Sequence, residues 1–207
     1  MSHPETFPLR GQRIWVTGGN GFLGRPVVAQ LRHHGAEVLA PRSSELDLLD
    51  PAAATRFLRE HRPSGVVHLA ARVGGIGANR AHPGSFFFAN MAMGLHLIDA
   101  CRTEGVEKVL VLGTVCAYPK FCPLPFREDD LWNGYPEETN APYGVAKKAA
   151  WQMLDAYKLQ YNMKSAYVLP VNLYGPYDNF DLNSSHVIPA LIRKCVEAQN
   201  RGDKFIE

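Results

Sequence analysis

The sequence lacks most of the features that mark specialised classes of protein. Its 207 residues include four cysteines. None of them forms a Cys-x-x-Cys pair, and a chain of this length does not need disulfides for stability. The formal net charge is +2, too weak to favour nucleic acid or an anionic membrane as a partner. No apolar run could span a bilayer, and the first residues do not resemble a secretory signal. We therefore expect a cytoplasmic protein with no metal, nucleic-acid or membrane partner.

The composition is that of an ordinary soluble globule. Hydrophobic residues make up 46% of the chain and charged residues 20%. This length can bury a full core but is short for two domains of typical size. We expect residues 1–207 to form one domain.

Short apolar runs alternate with helical patterns along the whole chain. The runs lie at 13–16, 37–40, 65–69, 108–112 and 165–169, and the helical patterns at 26–31, 51–61, 85–104, 142–161 and 187–200. The runs are almost continuously apolar, which predicts strands that are covered on both faces. The pattern predicts an α/β fold with a doubly wound parallel sheet of the Rossmann type. Residues 204–207 are similar to the start of a further strand.

A glycine-rich turn separates the first strand from the first helix. Gly18, Gly21 and Gly24 are spaced three apart in the run Gly18-Gly19-Asn20-Gly21-Phe22-Leu23-Gly24. Glycines there permit a tight turn and let backbone N–H groups approach a pyrophosphate at the positive end of a helix. The motif is weak alone, but its place after a first strand favours a dinucleotide site over a plain turn.

The end of the second strand indicates which dinucleotide is bound. NAD sites usually place an acidic residue there for the ribose 2′-hydroxyl, whereas this strand ends in Ala40-Pro41-Arg42-Ser43. An arginine suits a 2′-phosphate, so we expect NADP. The alternative is that Arg42 is a solvated loop charge.

An acid/base pair is predicted on the helix at 142–161. Tyr143 and Lys147 are four residues apart and share one helix face. A nearby ammonium and a cationic nicotinamide would both lower the pKa of the phenol and let it exchange a proton with a substrate oxygen. Thr114, at the end of the fourth strand, could hydrogen-bond the same oxygen. The Tyr-x-x-x-Lys spacing is common in helices and becomes specific only with Thr114 and the glycine turn.

These residues resemble the extended short-chain dehydrogenases/reductases and, within them, the GDP-L-fucose synthase family. The resemblance runs from about Arg13 to the end of the chain. The segments that carry it are 45–50, 68–76, 112–120, 170–176 and 185–191. It implies an NADP-dependent 3,5-epimerase and 4-reductase that acts on a GDP-4-keto-6-deoxy-hexose, and it implies a homodimer formed through two long helices.

The resemblance also implies roles for single residues. Cys116 and His186 would exchange protons at C3 and C5 of the sugar, which are acidic because they flank the C4 ketone. Tyr143 would supply a proton to O4, and Lys147 would tune that tyrosine and hold the nicotinamide ribose. Asn172 and Lys194 match positions that contact cofactor or substrate. For an isolated cysteine or histidine, burial or simple capping is the commoner role.

The cofactor-binding residues that the resemblance implies are Gly18, Gly19, Asn20, Gly21, Phe22, Leu23, Gly24, Arg42, Asp47, Leu48, Leu69, Ala70, Ala71, Val73, Leu112, Gly113, Lys147, Pro170, Asn172, Leu173 and His186.

The sequence departs from the family pattern in two respects. Thr114 and Val115 stand where the family usually has two serines. The chain also stops before the C-terminal substrate domain, so we expect it to bind NADP better than it turns over a sugar.

Two other functions stay open on the sequence. One is an NAD-dependent nucleotide-sugar 4-epimerase or 4,6-dehydratase, although a dehydratase should carry acidic residues directly after Thr114. The other is a non-catalytic NADP-binding module, which the absent substrate region makes plausible.

Overall fold

The computed structural model describes residues 7–182 and 184–206. Its strands form one parallel sheet in the order β2-β1-β3-β4-β5. The strands are β1 (Arg13–Thr17), β2 (Glu37–Leu39), β3 (Gly65–His68), β4 (Lys108–Leu112) and β5 (Ser165–Val168). This sheet confirms the predicted doubly wound α/β fold.

Within the part of the chain that the structure describes, six α-helices connect or follow these strands. They are α1 (Gly24–His33), α2 (Ala53–His61), α3 (Ile76–Ala81), α4 (Pro83–Thr103), α5 (Ala141–Tyr161) and α6 (Val187–Arg201), with short 3-10 helices at Val115–Ala117 and Glu128–Trp132. No described helix is both long enough and apolar enough to cross a membrane.

Two local predictions differ from the structure. The sequence pattern did not predict α3, whose first turn is held by a side chain rather than by apolar spacing: the Asn79 amide donates to the carbonyls of Gly74 and Gly75. Residues 204 and 205 form bends and Ile206 has no regular structure, in place of the predicted strand, and Glu207 lies outside the described residues.

Both faces of the sheet are covered, as the apolar runs predicted. Trp15 packs on one face in a buried cluster with Leu58, Leu97 and Leu154, which come from α2, α4 and α5. Its neighbours Ile14 and Val16 point to the other face and pack with Val28 of α1. Successive strand residues face opposite sides, so three consecutive apolar residues in β1 require helices on both.

The strand order places a crevice at the end of β1. The chain runs from β1 outward to β2 and then crosses back to β3 on the other side of β1. The connections that leave β1 and β3 therefore diverge at the carboxyl edge of the sheet. Ligands of open α/β sheets bind at such a switch point.

Candidate active site

The glycine turn after β1 forms a cradle with no room for side chains. Gly18 has a φ of +69°, and a Cβ there would lie 2.8 Å from the backbone nitrogen of Ala70. A Cβ on Gly24 would lie 2.5 Å from the Cα of Gly19, so α1 packs directly on the turn. The first turn of α1 carries no acidic residue. This cradle fits the pyrophosphate of a dinucleotide, which the backbone N–H groups and the helix end would hold.

A buried hydrogen-bond pair beside the cradle was not predicted from the sequence. The Thr17 hydroxyl lies 2.7 Å from Nδ1 of His68 and accepts the N–H of Ala70 at 3.2 Å. These bonds join the ends of β1 and β3 where the crevice opens. Burial and, after it, the charge of Lys147 hold the pKa of His68 at about 3, so its imidazole is neutral.

The end of β2 is tied to the glycine turn. The Asn20 side-chain amide donates to the carbonyl of Ala40 at 2.8 Å. Arg42 is exposed, and its backbone N–H donates to the carboxylate of Glu45 at 2.7 Å. An acidic side chain, that of Glu45, therefore lies at the backbone of Arg42. The residues at the end of β2 did not predict this contact.

Two buried asparagines shape the loop after β3, where Ala70, Ala71 and Val73 lie. Asn90 of α4 accepts the N–H of Arg72 at 3.0 Å and donates to the carbonyl of the same residue at 2.9 Å. Asn79 holds the carbonyls at the other end of the loop. The loop is thus fixed by side chains that apolar periodicity could not reveal.

The predicted acid/base residues come together at the carboxyl edge of β4. Thr114 is buried, and its hydroxyl oxygen accepts the N–H of Cys116 at 3.1 Å. α5 packs closely on this turn, since a Cβ on Gly144 would lie 2.5 Å from the carbonyl oxygen of Cys116. Tyr143 precedes that glycine, and the charge of a Cys116 thiolate would act directly on its phenol. Thr114, Cys116 and Tyr143 therefore lie together, and Lys147 is buried one helical turn after Tyr143 on α5. We refer to these four residues as one cluster.

Burial controls the protonation states of this cluster. Desolvation and, after it, the Cys116 thiolate raise the pKa of Tyr143 above its ordinary value. Burial lowers the pKa of Lys147 to about 8. The sequence-based expectation of a lowered phenol pKa is therefore wrong for the protein alone, because desolvation of the phenol raises its pKa. Tyr143 holds its proton at neutral pH and is suited to be a proton donor.

Replacement of Lys147 with methionine should stabilise the protein at neutral pH. The ammonium is 4% exposed, and its folded-state pKa of about 8 lies below the ordinary value of 10.5. The loss of stability caused by burying this ammonium is therefore complete below pH 8, and it disappears as the pH rises through 10.5. We expect Lys147→Met to raise the free energy of unfolding by up to ~3 kcal/mol at pH 7, with the gain lost near pH 11. Urea melts across this range measure it.

The control is Lys158→Met, which removes an exposed ammonium from the same helix. It should change stability little at any pH. A Lys147→Met gain that did not vary with pH would contradict the assigned cause.

His186 is placed by a different set of contacts. It is exposed at the N-terminal end of α6. Its neighbouring segment is anchored to the loop after β3, because Gly75 donates its N–H to the Ser184 carbonyl at 3.3 Å and packs against the carbonyl of Ser185. Lys194 lies two turns further along α6. The structure thus joins His186 to the crevice through Gly75, not through the turn that bears Cys116.

The other predicted cofactor residues lie along the same edge of the sheet. Leu112 is the last residue of β4 and Gly113 follows it. Leu69 follows β3, and Pro170, Asn172 and Leu173 follow β5. Asn172 is exposed. Phe22 lies beside Gly175, so the segment after β5 reaches the glycine turn.

Two further predicted cofactor residues, Asp47 and Leu48, already make contacts within the protein. The carboxylate of Asp47 accepts the N–H of Leu49 at 2.9 Å. The side chain of Leu48 is buried in the core, which leaves only its backbone for a cofactor contact.

Residues 14–205 match the model of the NAD dependent epimerase/dehydratase family. The chain belongs to this family. It is 43% identical over 191 residues to a GDP-L-fucose synthase of Sinorhizobium fredii, an alignment that covers 92% of this chain and 61% of the relative.

Solved structures agree with this assignment. A GDP-L-fucose synthetase from Naegleria fowleri bound to NADP superposes with a TM-score of 0.86 at 31% identity, over 96% of this chain and 66% of that one. A GDP-mannoheptose C4 reductase from Campylobacter jejuni with NADP bound gives a TM-score of 0.84 at 28% identity, over 94% of this chain and 61% of that one. The chain thus spans about 61–66% of the length of these relatives.

Proposed function

We propose that this family member is an NADP-dependent 3,5-epimerase and 4-reductase of a GDP-4-keto-6-deoxy-hexose. The observation that carries the proposal is the single cluster of Thr114, Cys116, Tyr143 and Lys147 beside the glycine cradle. The names of the relatives support a GDP-linked sugar. Because the chain spans only part of their length, the activity and substrate of the whole protein are included in the proposal.

The cofactor would lie across the carboxyl edge of the sheet. The cradle at Gly18 would hold its pyrophosphate, Arg42 its 2′-phosphate and Lys147 its nicotinamide ribose. When bound, the reduced nicotinamide supplies hydride to the C4 carbon of the sugar.

The residues of the chain manage the proton that accompanies this reduction. Tyr143 keeps its phenolic proton because its pKa is raised by burial, so it donates that proton to O4 as the C4 carbonyl becomes an alkoxide. Thr114 already accepts a backbone N–H with its oxygen. Its hydroxyl hydrogen is therefore available to donate to O4 and to stabilise the developing charge. The Lys147 ammonium favours the phenolate left behind.

The polarised C4 ketone also explains why a base and an acid would act at the carbons on either side of it, C3 and C5. A proton leaves C3 or C5 as its bonding electrons move into an enolate stabilised at O4. Cys116 and His186 would remove and return these protons. Their different anchors, the turn after β4 and the start of α6, are suited to carbons on opposite sides of C4.

A direct test uses the 207-residue chain with NADPH and GDP-4-keto-6-deoxy-D-mannose. NADPH oxidation is followed by absorbance, with the matching UDP-linked keto-sugar as control. The proposal requires oxidation with the GDP-linked sugar. Equal or faster oxidation with the UDP-linked sugar would contradict the proposed substrate class.

Arg42→Ala should weaken NADPH binding about tenfold and NADH binding by less than about twofold, because only the 2′-phosphate pairs with this guanidinium. Fluorescence titration of both nucleotides measures the two dissociation constants without turnover. Arg127→Ala, on an exposed loop far along the chain, is the control. A uniform loss would mean that Arg42 does not contact the 2′-phosphate.

One observation favours a second candidate, a cofactor-binding module without turnover. The chain covers 61% of its fucose synthase relative, and in this candidate the sugar contacts would lie in the uncovered part. NADPH binding without reaction toward any keto-sugar, even when a region matching the uncovered part of the relative is added, would favour the module.

We also propose a homodimer formed through α4 and α5. Phe88 and Leu95 are seven residues apart on α4, and they are 65% and 38% exposed. Leu159 on α5 is 81% exposed. Apolar side chains at this spacing share one helix face and are typical of a helix–helix interface.

A Phe88→Glu/Leu95→Glu double variant should therefore sediment as a monomer, whereas the parent sediments as a dimer. Phe121→Glu is the control, since Phe121 is 90% exposed but lies on the loop after β4. A monomeric parent would contradict the proposed dimer.

A further inference from the structure

Tyr167 on β5 touches both elements that carry the proposed acid/base residues. Its hydroxyl donates to the backbone carbonyl of Lys147 at 3.0 Å. Its ring lies over Gly113, where a Cβ would come within 2.6 Å of the ring carbon Cε1. One side chain therefore spans from the end of β4 to the middle of α5.

The contact at Gly113 explains why this position lacks a side chain. Gly113 does not have a positive φ, so its backbone conformation suits any L-residue. Its N–H is already bound to the carbonyl of Val168 at 2.8 Å, which fixes it against β5. The three atoms nearest to such a Cβ all belong to Tyr167. Gly113 and Tyr167 thus form one steric pair directly before Thr114.

Two further aromatic rings, those of Trp151 and Trp132, pack in series beside Tyr167. Its ring centroid lies 6.4 Å from that of Trp151 on α5, and Trp151 stacks on Trp132 with centroids 5.3 Å apart. Packed aromatic side chains move little. The Tyr167 ring is therefore packed against α5 through Trp151 as well as through its hydroxyl.

We propose that Tyr167 is a positioning residue that sets the distance between the Thr114–Cys116 turn and the Tyr143–Lys147 face of α5. The ring presses on Gly113 and fixes where the turn begins, while the hydroxyl holds the backbone of α5 at Lys147. Tyr167 acts through these two elements. The inference rests on the proposed function only in treating the cluster as catalytic.

The test is a double-variant cycle. Tyr167→Ala should lower kcat about tenfold or more and leave the KM for NADPH within about twofold. The reason is that a small displacement of the reacting groups slows the reaction but does not remove the contacts that bind the cofactor. Gly113→Ala should also lower kcat, since its new methyl meets the ring. Gly113→Ala/Tyr167→Ala should recover part of the rate, because the methyl occupies space that the ring has left.

A second readout does not require turnover. The alkylation rate of Cys116, followed by peptide mass spectrometry, reports how firmly the turn is held, and exposed Cys195 on α6 is the internal control. Tyr167→Ala should raise the Cys116 rate roughly threefold or more by loosening the turn. Tyr167→Phe, which keeps the ring, should leave it near the parent value, and the double variant should return toward that value.

The outcomes separate this inference from the proposed function. If Tyr167→Ala does not fold, Tyr167→Leu removes the flat ring with less loss of volume and takes its place. The positioning role is overturned if the alkylation rate of Cys116 is unchanged in the folded Tyr167 variant. It is also overturned if the kcat of the double variant is no closer to the parent value than that of either single variant. A parent that alkylates as expected but reduces no keto-sugar, even when a region matching the uncovered part of its relatives is added, refutes the proposed function and leaves the steric pair intact.

Discussion

Tyr143→Phe should reduce the rate of keto-sugar reduction by about a thousandfold while leaving NADPH affinity within roughly twofold. The variant removes one hydroxyl and keeps the ring that packs near the Cys116 turn. Because burial raises the pKa of Tyr143, the phenol carries its proton throughout the neutral range. The lost rate is therefore the loss of proton donation to O4. Stopped-flow NADPH oxidation and a fluorescence titration measure the two quantities.

The matched control for this variant is Tyr161→Phe, at the other end of α5. Tyr161 packs edge-to-face against Tyr157, and the Arg102 guanidinium lies over its ring, far along the helix from the cluster. The Tyr161→Phe variant should reduce the sugar at the parent rate. Turnover by Tyr143→Phe at the parent rate would remove Tyr143 from the mechanism.

Cys116→Ser should suppress proton exchange at the sugar carbons by about a hundredfold and slow reduction much less. Serine is close to cysteine in size, but a hydroxyl ionises far less readily than a thiol and so supplies almost no base near neutral pH. The measurement is solvent deuterium entering C3 and C5 in D₂O, compared with NADPH oxidation in the same sample.

The remaining cysteines supply the control for this second variant. Cys195→Ser changes an exposed thiol on α6 and should leave both rates unchanged. His186→Gln should resemble Cys116→Ser in losing exchange. Equal losses of exchange and reduction in Cys116→Ser would argue that the thiol shapes the site and is not a separate base.

The fold was predictable because its signals are local. Trp15 and its apolar neighbours predict a strand covered on both faces, and the glycine turn that follows predicts the cradle. Pro142 in the first turn of α5 placed Tyr143 and Lys147 on the correct helix.

The site was less predictable because its decisive contacts join residues distant in sequence. The Thr17–His68 pair spans 51 residues, and Tyr167 meets the Lys147 carbonyl across 20. The spacing of Tyr143 and Lys147 suggested a lowered phenol pKa, whereas desolvation in the packed cluster raises it. Such effects depend on the amount of protein around a group, which linear spacing does not encode.

The most informative measurement is the isotope pattern of the sugar formed from GDP-4-keto-6-deoxy-D-mannose and NADPH in D₂O. The proposed chemistry predicts deuterium at C3 and C5 and protium at C4 in a reduced sugar, read by NMR. A C4-reduced sugar with protium at C3 and C5 would show a simple ketoreductase and would contradict the epimerase role of Cys116 and His186.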